Sequence, residues 1–306
     1  MNISSLIARV AAGALALCSL AAAADDSQQK TFATPEDAVV AFVDGAVAGN
    51  TQELLAILGP EGQQVLVSGD PVMDQRNREV FLVAYAERAA LMAVSPTRRV
   101  LYIGYEDWPL PIPLVKEGKA WRFDTAAGAQ EILYRRIGRN ELNTIDVAQV
   151  YVDAQQEYAA QAHDGKPAGA YAQRIASTPG KHDGLYWKSD DSEEPSPLGE
   201  FAAEAAAQGY RGTVAQPTPF HGYLYRTLDA QGKAAAGGER SYIANGEMRS
   251  GFALLAYPAA YRVSGVMTFI VDQDGVVYQK DLGAETPKIA ADISRFDPDP
   301  SWQKVR

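Results

Sequence analysis

Ser177, His182 and Asp183 fall within seven residues in the stretch STPGKHDGLYW. These are the types a hydrolytic triad uses: a hydroxyl nucleophile, an imidazole to take its proton and a carboxylate to orient the imidazole. The spacing argues against that use. Triad members usually come from distant positions, Asp183 beside His182 normally points elsewhere, and no G-x-S-x-G elbow occurs. A metal set is the second chemistry these types offer, with His182, Asp183 and His221 as two imidazoles and a carboxylate. Their spacing matches neither a helix-borne H-E-x-x-H nor a C-x-x-C pair. The chain has only three histidines, and the competing reading has His182 and His221 hydrogen-bonding inside aromatic turns. No metal or other cofactor is expected.

Asp272 and Asp274 open like a calcium loop, D-x-D-G, but Val276 and Val277 stand where later ligands belong. Asp274-Gly275 therefore reads as a hairpin turn. Aromatic residues crowd the second half, among them Tyr186, Trp187, Phe220, Tyr223, Tyr225 and Tyr242. Flat rings with a polar edge suit sugars and peptides, and they equally suit the core of a loop-rich domain. Core is the expectation for most. Tyr186 and Trp187 abut the acidic loop KSDDSEEPSPLG and are expected at the surface. The expected binding surface is thus His182, Asp183, Tyr186, Trp187 and His221.

The elements that must position these residues follow from address and periodicity. Residues 1–24 read as an export signal, with Arg9, an apolar core too short to span a bilayer, and Ala22 and Ala24 before Asp25. Cleavage after Ala24 sends the chain to the periplasm and leaves no cysteine, because Cys18 is the only one. Leu17 precedes it, where a lipoprotein signal wants a small residue. No later run approaches the roughly 20 apolar residues of a membrane helix. The mature chain is 306 − 24 = 282 residues, and its charge moves from −10 to −11 with the loss of Arg9. Such a chain is repelled by nucleic acid and by anionic membranes. The partner expected is an envelope protein or a glycan, and oligomeric state is open.

Thr34 and Pro35 open a clear helix, and Thr51 caps a second. Residues 76–93 read as a third. RRVLYIGY, LPIPLVKEG and KAWRFDT then read as short β segments, the last two joined at Glu117-Gly118. Residues 126–163 form the longest helix, weakened early by Gly128 and Gly138 and strong over 139–162. Its Val147, Tyr151, Ala154, Tyr158 stripe and the neighbouring Leu142, Ile145, Ala148, Val152 stripe make an apolar face that must be buried. Arg135, Arg136 and Arg139 are expected to pair with acids such as Glu131 and Glu141. Beyond it, a short helix at FAAEAAAQGY precedes alternating β segments.

The order TPEDAVVAFVDGAVAGN to PIPLVKEGKAWRFDT resembles the NTF2-like superfamily over residues 32–125. That resemblance implies an α+β cone with a pocket, here lined by Tyr85, Tyr102, Trp108 and Trp121 unless a filled core replaces it. LNTIDVAQVYV, GYLYRTL and FALLAYPAAYRVSGVMTFIVDQDGVV are similar to type IV pilin-like globular heads, in which one helix packs on an antiparallel sheet. The pilin assembly helix is absent. Over residues 32–302 the longer motifs, including STPGKHDGLYW, PFHGYLYRTLDAQG and FDPDPSW, resemble the DUF2950 family of exported bacterial proteins, which implies an address and no activity. The expected organisation is a signal at 1–24, an NTF2-like α+β domain at 32–125, a pilin-head-like α+β domain at 126–295 and an extended tail at 296–306. The function expected is non-enzymatic binding or assembly in the cell envelope. The alternative is an envelope hydrolase or metal-dependent enzyme using His182, Asp183 and His221.

Overall fold

Thr34 begins the first element as its type demands. Its Oγ1 accepts the Asp37 N–H at 3.0 Å, Pro35 fills the first helical position, and α1 runs Pro35–Val47. The computed structural model describes residues 29–188, 195–208, 210 and 218–305. The expected signal at 1–24, with Cys18, lies outside the described residues, as do positions 189–194 of the acidic loop. Helix α2, Thr51–Leu58, is capped by Asn50 rather than Thr51: the Asn50 carboxamide accepts the Glu53 N–H at 3.1 Å. A short α3, Gly62–Leu66, follows.

The third helix is displaced from its expected place at 76–93. Helix α4 occupies Pro71–Glu87, because Asp70 caps it, accepting from Val72 and Met73 N–H at 3.2 and 3.1 Å. The Ala-Leu-Met run beyond Arg88 favours helix locally, yet Ala89–Ser95 is strand β1. Pairing with β2, Arg98–Ile103, overrides the propensity and sets Leu91 opposite Leu101. Strands β3 (Trp108–Pro109), β4 (Leu114–Glu117) and β5 (Ala120–Phe123) complete a sheet ordered β1-β2-β4-β5, with β3 on β2. Ala38, Ile57, Leu58, Leu101, Leu114 and Phe123 form its core. Trp121 is buried in that core with Arg99 and Lys116 over its ring, whereas Trp108 faces solvent.

Helix α5 is a single 35-residue element, Thr125–Ala159, longer at its start than the strong 139–162 segment. Gly128 does not break it. A Cβ there would stand 2.5 Å from the Pro111 carbonyl oxygen, so the glycine admits a close backbone approach. The basic cluster divides. Arg135 pairs with Glu131 one turn away, but Arg136 is buried and donates to the Gln64 and Val65 carbonyls of α3. Glu141 accepts the Val266 and Met267 N–H groups at 2.9 and 3.0 Å. One helix therefore touches both halves of the chain. Of its apolar face, Ala148, Tyr151, Val152, Ala154 and Tyr158 are buried, while Leu142 is exposed.

Helix α6, Gly199–Ala207, precedes the second sheet. Strand β6 (Tyr223–Leu228) is followed by two small ladders, β7 (Ala230–Gln231) with β8 (Arg240–Ser241) and β9 (Ile243–Ala244) with β10 (Glu247–Met248). Strands β11 (Ala253–Pro258), β12 (Met267–Asp272), β13 (Tyr278–Asp281) and β14 (Gln303–Lys304) join β6 in the antiparallel order β14-β13-β12-β11-β6. Asp272 to Gly275 makes the turn between β12 and β13, with Asp272 accepting the Asp274 N–H. Burial pushes the Asp272 carboxyl up to about 6. Helix α7, Thr286–Asp292, lies against β11. The expected tail at 296–306 is instead anchored: Phe296 is buried, Trp302 packs on the core, and β14 pairs with β13. The chain is thus α+β, with two separate apolar cores.

Candidate functional site

Gln155 of α5 positions the segment that carries STPGKHDGLYW. Its carboxamide grips the Ala172 backbone from both ends, accepting N–H at 2.8 Å and donating to C=O at 2.9 Å. From there the chain doubles back. Leu185 N–H donates to Arg174 C=O, Tyr186 N–H to Ile175 C=O, and Ser177 N–H to Tyr186 C=O. Gly184 is required at this crossing. A Cβ would lie 2.7 Å from the Ala176 carbonyl carbon and the Ser177 nitrogen.

Within this loop the three chemically suggestive residues serve the turn. The Ser177 hydroxyl accepts the Gly184 N–H at 2.9 Å. Asp183 accepts the Thr178 N–H at 2.7 Å and its hydroxyl at 2.8 Å, and Arg174 stands 4.0 Å away. Burial works to raise the Asp183 carboxyl, but these hydrogen bonds and the charges of Arg174 and Lys181 outweigh it and hold the group below its usual range. His182 stacks its ring on Trp187 at 4.3 Å and 15°. Its N–H donates to Asp164 and its C=O accepts the Tyr158 hydroxyl. Among the described residues no hydrogen bond joins Ser177, His182 and Asp183 as a nucleophile relay needs.

Trp187 corrects the expectation of a surface ring. It is 6% exposed, set edge-on to Tyr158 and His163 as well as stacked on His182. Tyr186 keeps its expected exposure, at 37%. Tyr186 is bridged to Ala176 in extended backbone, where successive side chains take opposite faces, so one ring enters the core and the other stays at its rim.

His221 sits in different company. Its backbone is in the left-handed region, its ring lies against Phe220 and Tyr210, and its N–H donates to the Tyr210 oxygen. Burial pushes its pKa down. Tyr210 in turn donates to Asp70 at 2.8 Å, and Gly222 N–H donates to the same oxygen at 3.0 Å. Asp70 thereby caps α4 and ties the first sheet's half to the second. The structure does not bring His221 into a cluster with His182 and Asp183. Among the described residues no group of three or more His, Cys, Asp or Glu side chains is placed to hold a metal ion.

What the site contains instead is an apolar cavity of about 220 Å³. Helix α5 supplies Val147, Val150 and Tyr151, the loop supplies Ile175, Ala176 and Tyr186, α6 supplies Leu198, Phe201, Ala202 and Ala205 at and beside its start, and the sheet side supplies Phe220, Tyr225 and Leu254. Among the described residues the lining includes no charged side chain. Its two inner phenols are already occupied. Tyr151 accepts from Gln155 and lies within hydrogen-bonding reach of Thr227 and the Ala253 C=O; Tyr225 bonds Thr144 and the Phe220 C=O. Burial pushes Tyr151 up to about 12 and raises Tyr225 as well, so both stay neutral. Such walls accept hydrocarbon or an aromatic ring and offer nothing to a charge. Of the five expected binding residues only Tyr186 lines this cavity. The α6 contribution leaves one signal in the sequence, the small side chains of Ala202 and Ala205, which leave room where a larger residue would fill it.

Fold and site together define an α+β protein with an apolar cavity between a long helix and an antiparallel sheet. Comparison with family models is specific: a model described as a protein of unknown function, DUF2950, matches residues 29–305. The chain belongs to that family. No curated protein and no solved structure matches it.

Proposed function

We propose that this is an exported protein of the cell envelope that binds a small apolar group in the cavity between α5, α6 and β11. The observation that carries this reading is the lining itself, about 220 Å³ bounded by apolar side chains with the nearby hydroxyls already bonded. An engineered apolar cavity of about 150 Å³ stays dry and takes up benzene. This one has room for a larger ring system or a length of acyl chain, groups that the envelope supplies. Binding is favoured over catalysis because Ser177, Asp183 and His182 are each committed to turn or stacking contacts. Trp187 in the core also removes half of the flat pair on which a glycan would stack. Export rests on the 1–24 pattern, and no described helix is long and apolar enough to cross a membrane. An NTF2-like first half and a pilin-head-like second half are the architecture we favour; helix-first order and α5 lying on β11 and β12 support it.

Titrating the mature protein with 1-anilinonaphthalene-8-sulfonate and with a ladder of fatty acids tests the binding. One saturable site is expected, competed by the acids and abolished in Ala202→Trp, whose indole fills the space. Equal binding by the variant and the parent chain would remove the cavity from the account. Amino-terminal sequencing of protein from a cell fraction tests the address, with Asp25 expected first.

A further inference from the structure

Among the described residues strand β1 is paired on one side only, to β2, and so stands at an open edge of the first sheet. An open edge presents a row of backbone N–H and C=O groups to any strand that can lie beside it, and natural edges are blunted by charge, proline or a bulge. This one is scarcely blunted. Ala89–Ser95 reads AALMAVS, with no charged residue and no proline. Its irregularity is a register shift between Ala93 and Ser95, which leaves Ala89 to Ala93 regular. The opposite edge of the sheet is taken: Phe32 and Trp121 of β5 exchange N–H and C=O in both directions at 2.8 Å.

The side chains along the open edge are apolar on both faces. Leu91 packs with Leu101 and Ile103 in the first core. Met92 takes the other face, opposite Val100, and Ala90 stands opposite Tyr102. Met92 and Val94 are 54% and 60% exposed. Charge begins only beyond the ends of the strand. Glu87 leads into it and Arg98 follows it, and neither side chain has a hydrogen-bond or ion-pair partner among the described residues. Their basic neighbours are engaged, Arg88 by Asp107 at 3.0 Å and Arg99 by the Ser95 C=O at 2.6 Å.

These features select the occupant. A chain of charge −10 repels its own copies over most of its surface, but not along an uncharged strand. Antiparallel pairing of β1 with the β1 of a second copy, about a two-fold axis near Leu91, sets the acidic end of each strand beside the basic end of the other. Within one chain those two charges lie at opposite ends of the strand, roughly 20 Å apart, and do not meet. Because Phe32 takes the far edge, the pairing closes at two copies.

We propose that this chain forms a two-fold dimer by antiparallel β1–β1 pairing, which joins the first sheets of two copies into one. None of the residues involved lines the apolar cavity, so the dimer stands or falls apart from ligand binding there.

Sedimentation equilibrium of the mature protein over a concentration series tests it, with twice the chain mass expected at the upper end. Met92→Lys, at an exposed position, should weaken the dimer by at least about tenfold. Glu87→Arg and Arg98→Glu should each weaken it, and the two changes in one chain should restore it, since each end then meets its opposite again. Hydrogen exchange at the Ala89 to Ala93 amides should slow as the protein is concentrated. Far-ultraviolet circular dichroism and anilinonaphthalene binding should stay at the parent value in every variant. Three results overturn the proposal: a single-chain mass at every concentration, a dimer that Met92→Lys leaves intact, or a charge exchange that the double variant does not restore. A monomer whose β1 amides are protected only when envelope extract is added would give the edge to another protein, and that too overturns the second copy.

Discussion

The loop from Tyr171 to Trp187 borders two cavities of opposite character. Ile175, Ala176 and Tyr186 give it an apolar border with α5 and α6, and Gln173, Arg174 and Asp183 give it a polar border with the His163–Lys166 turn and β10. The lining changes between Arg174 and Ile175, one pair before the bridge that joins Ala176 to Tyr186. The apolar border holds its shape by packing, the polar one by hydrogen bonds to Thr178 and Asp164. Ser177 and Asp183 use their side-chain oxygens, and His182 its backbone groups and ring face, in contacts that hold the loop. The cavities on either hand take their character mainly from residues outside any motif.

The largest expected effect comes from removing what both borders share. Trp187→Ala should cost about 3–5 kcal/mol, the usual range for a buried tryptophan, and binding of the apolar probe should be lost with it. Tyr186→Ala, at the rim, should cost under about 1 kcal/mol and affect only the apolar probe. Denaturant unfolding of the two variants separates them. A Trp187→Ala cost near that of Tyr186→Ala would mean that the Tyr158, His163, Trp187 and His182 rings are not what holds the loop.

Crowding the crossing point should act next. Gly184→Ala puts a methyl against Ala176 and Ser177 backbone, which cannot yield as a side chain would, at about 1–3 kcal/mol. Thermal unfolding with probe titration should show the apolar cavity failing first, since Ala176 lines it. Unchanged probe binding in Gly184→Ala would show that the crossing does not set the wall that Ala176 gives the cavity.

The smallest effect belongs to the polar border alone. Asp183→Asn should cost about 1 kcal/mol at neutral pH, the worth of an ordinary hydrogen bond. The sign with pH is set by the depressed carboxyl. Its contribution is present above the unfolded value of 3.8 and is lost as pH falls through the lower folded value. The stability difference between parent and variant should therefore shrink in acid, below about pH 4. A difference that grew on acidification would show that Thr178 and Arg174 do not stabilise the charged form.

Much of the fold was legible in local pattern. Thr34-Pro35 caps α1, Asp274-Gly275 lies in the β12–β13 turn, and the Tyr151, Ala154, Tyr158 stripe of α5 is buried. Local pattern failed where a distant partner decided. Ala89–Ser95 has helix-forming residues and is strand because β2 is there to pair with it. Phe296 and Trp302 flank a run of aspartates and prolines that reads as tail, yet the second core takes both rings.

The candidate site divides in the same way. The start of α1 and the face of α5 that must be covered were readable along the chain, because caps and periodicity act within a few residues. That Trp187 is core, that His221 belongs with Asp70 and Tyr210, and that two cavities share one loop came from the packed fold. Those outcomes depend on groups far apart in the chain, such as Tyr151 and Ala253 at 102 positions and Asp70 and Gly222 at 152. Burial and cavity shape are properties of the surfaces that meet, and no single stretch of sequence contains both.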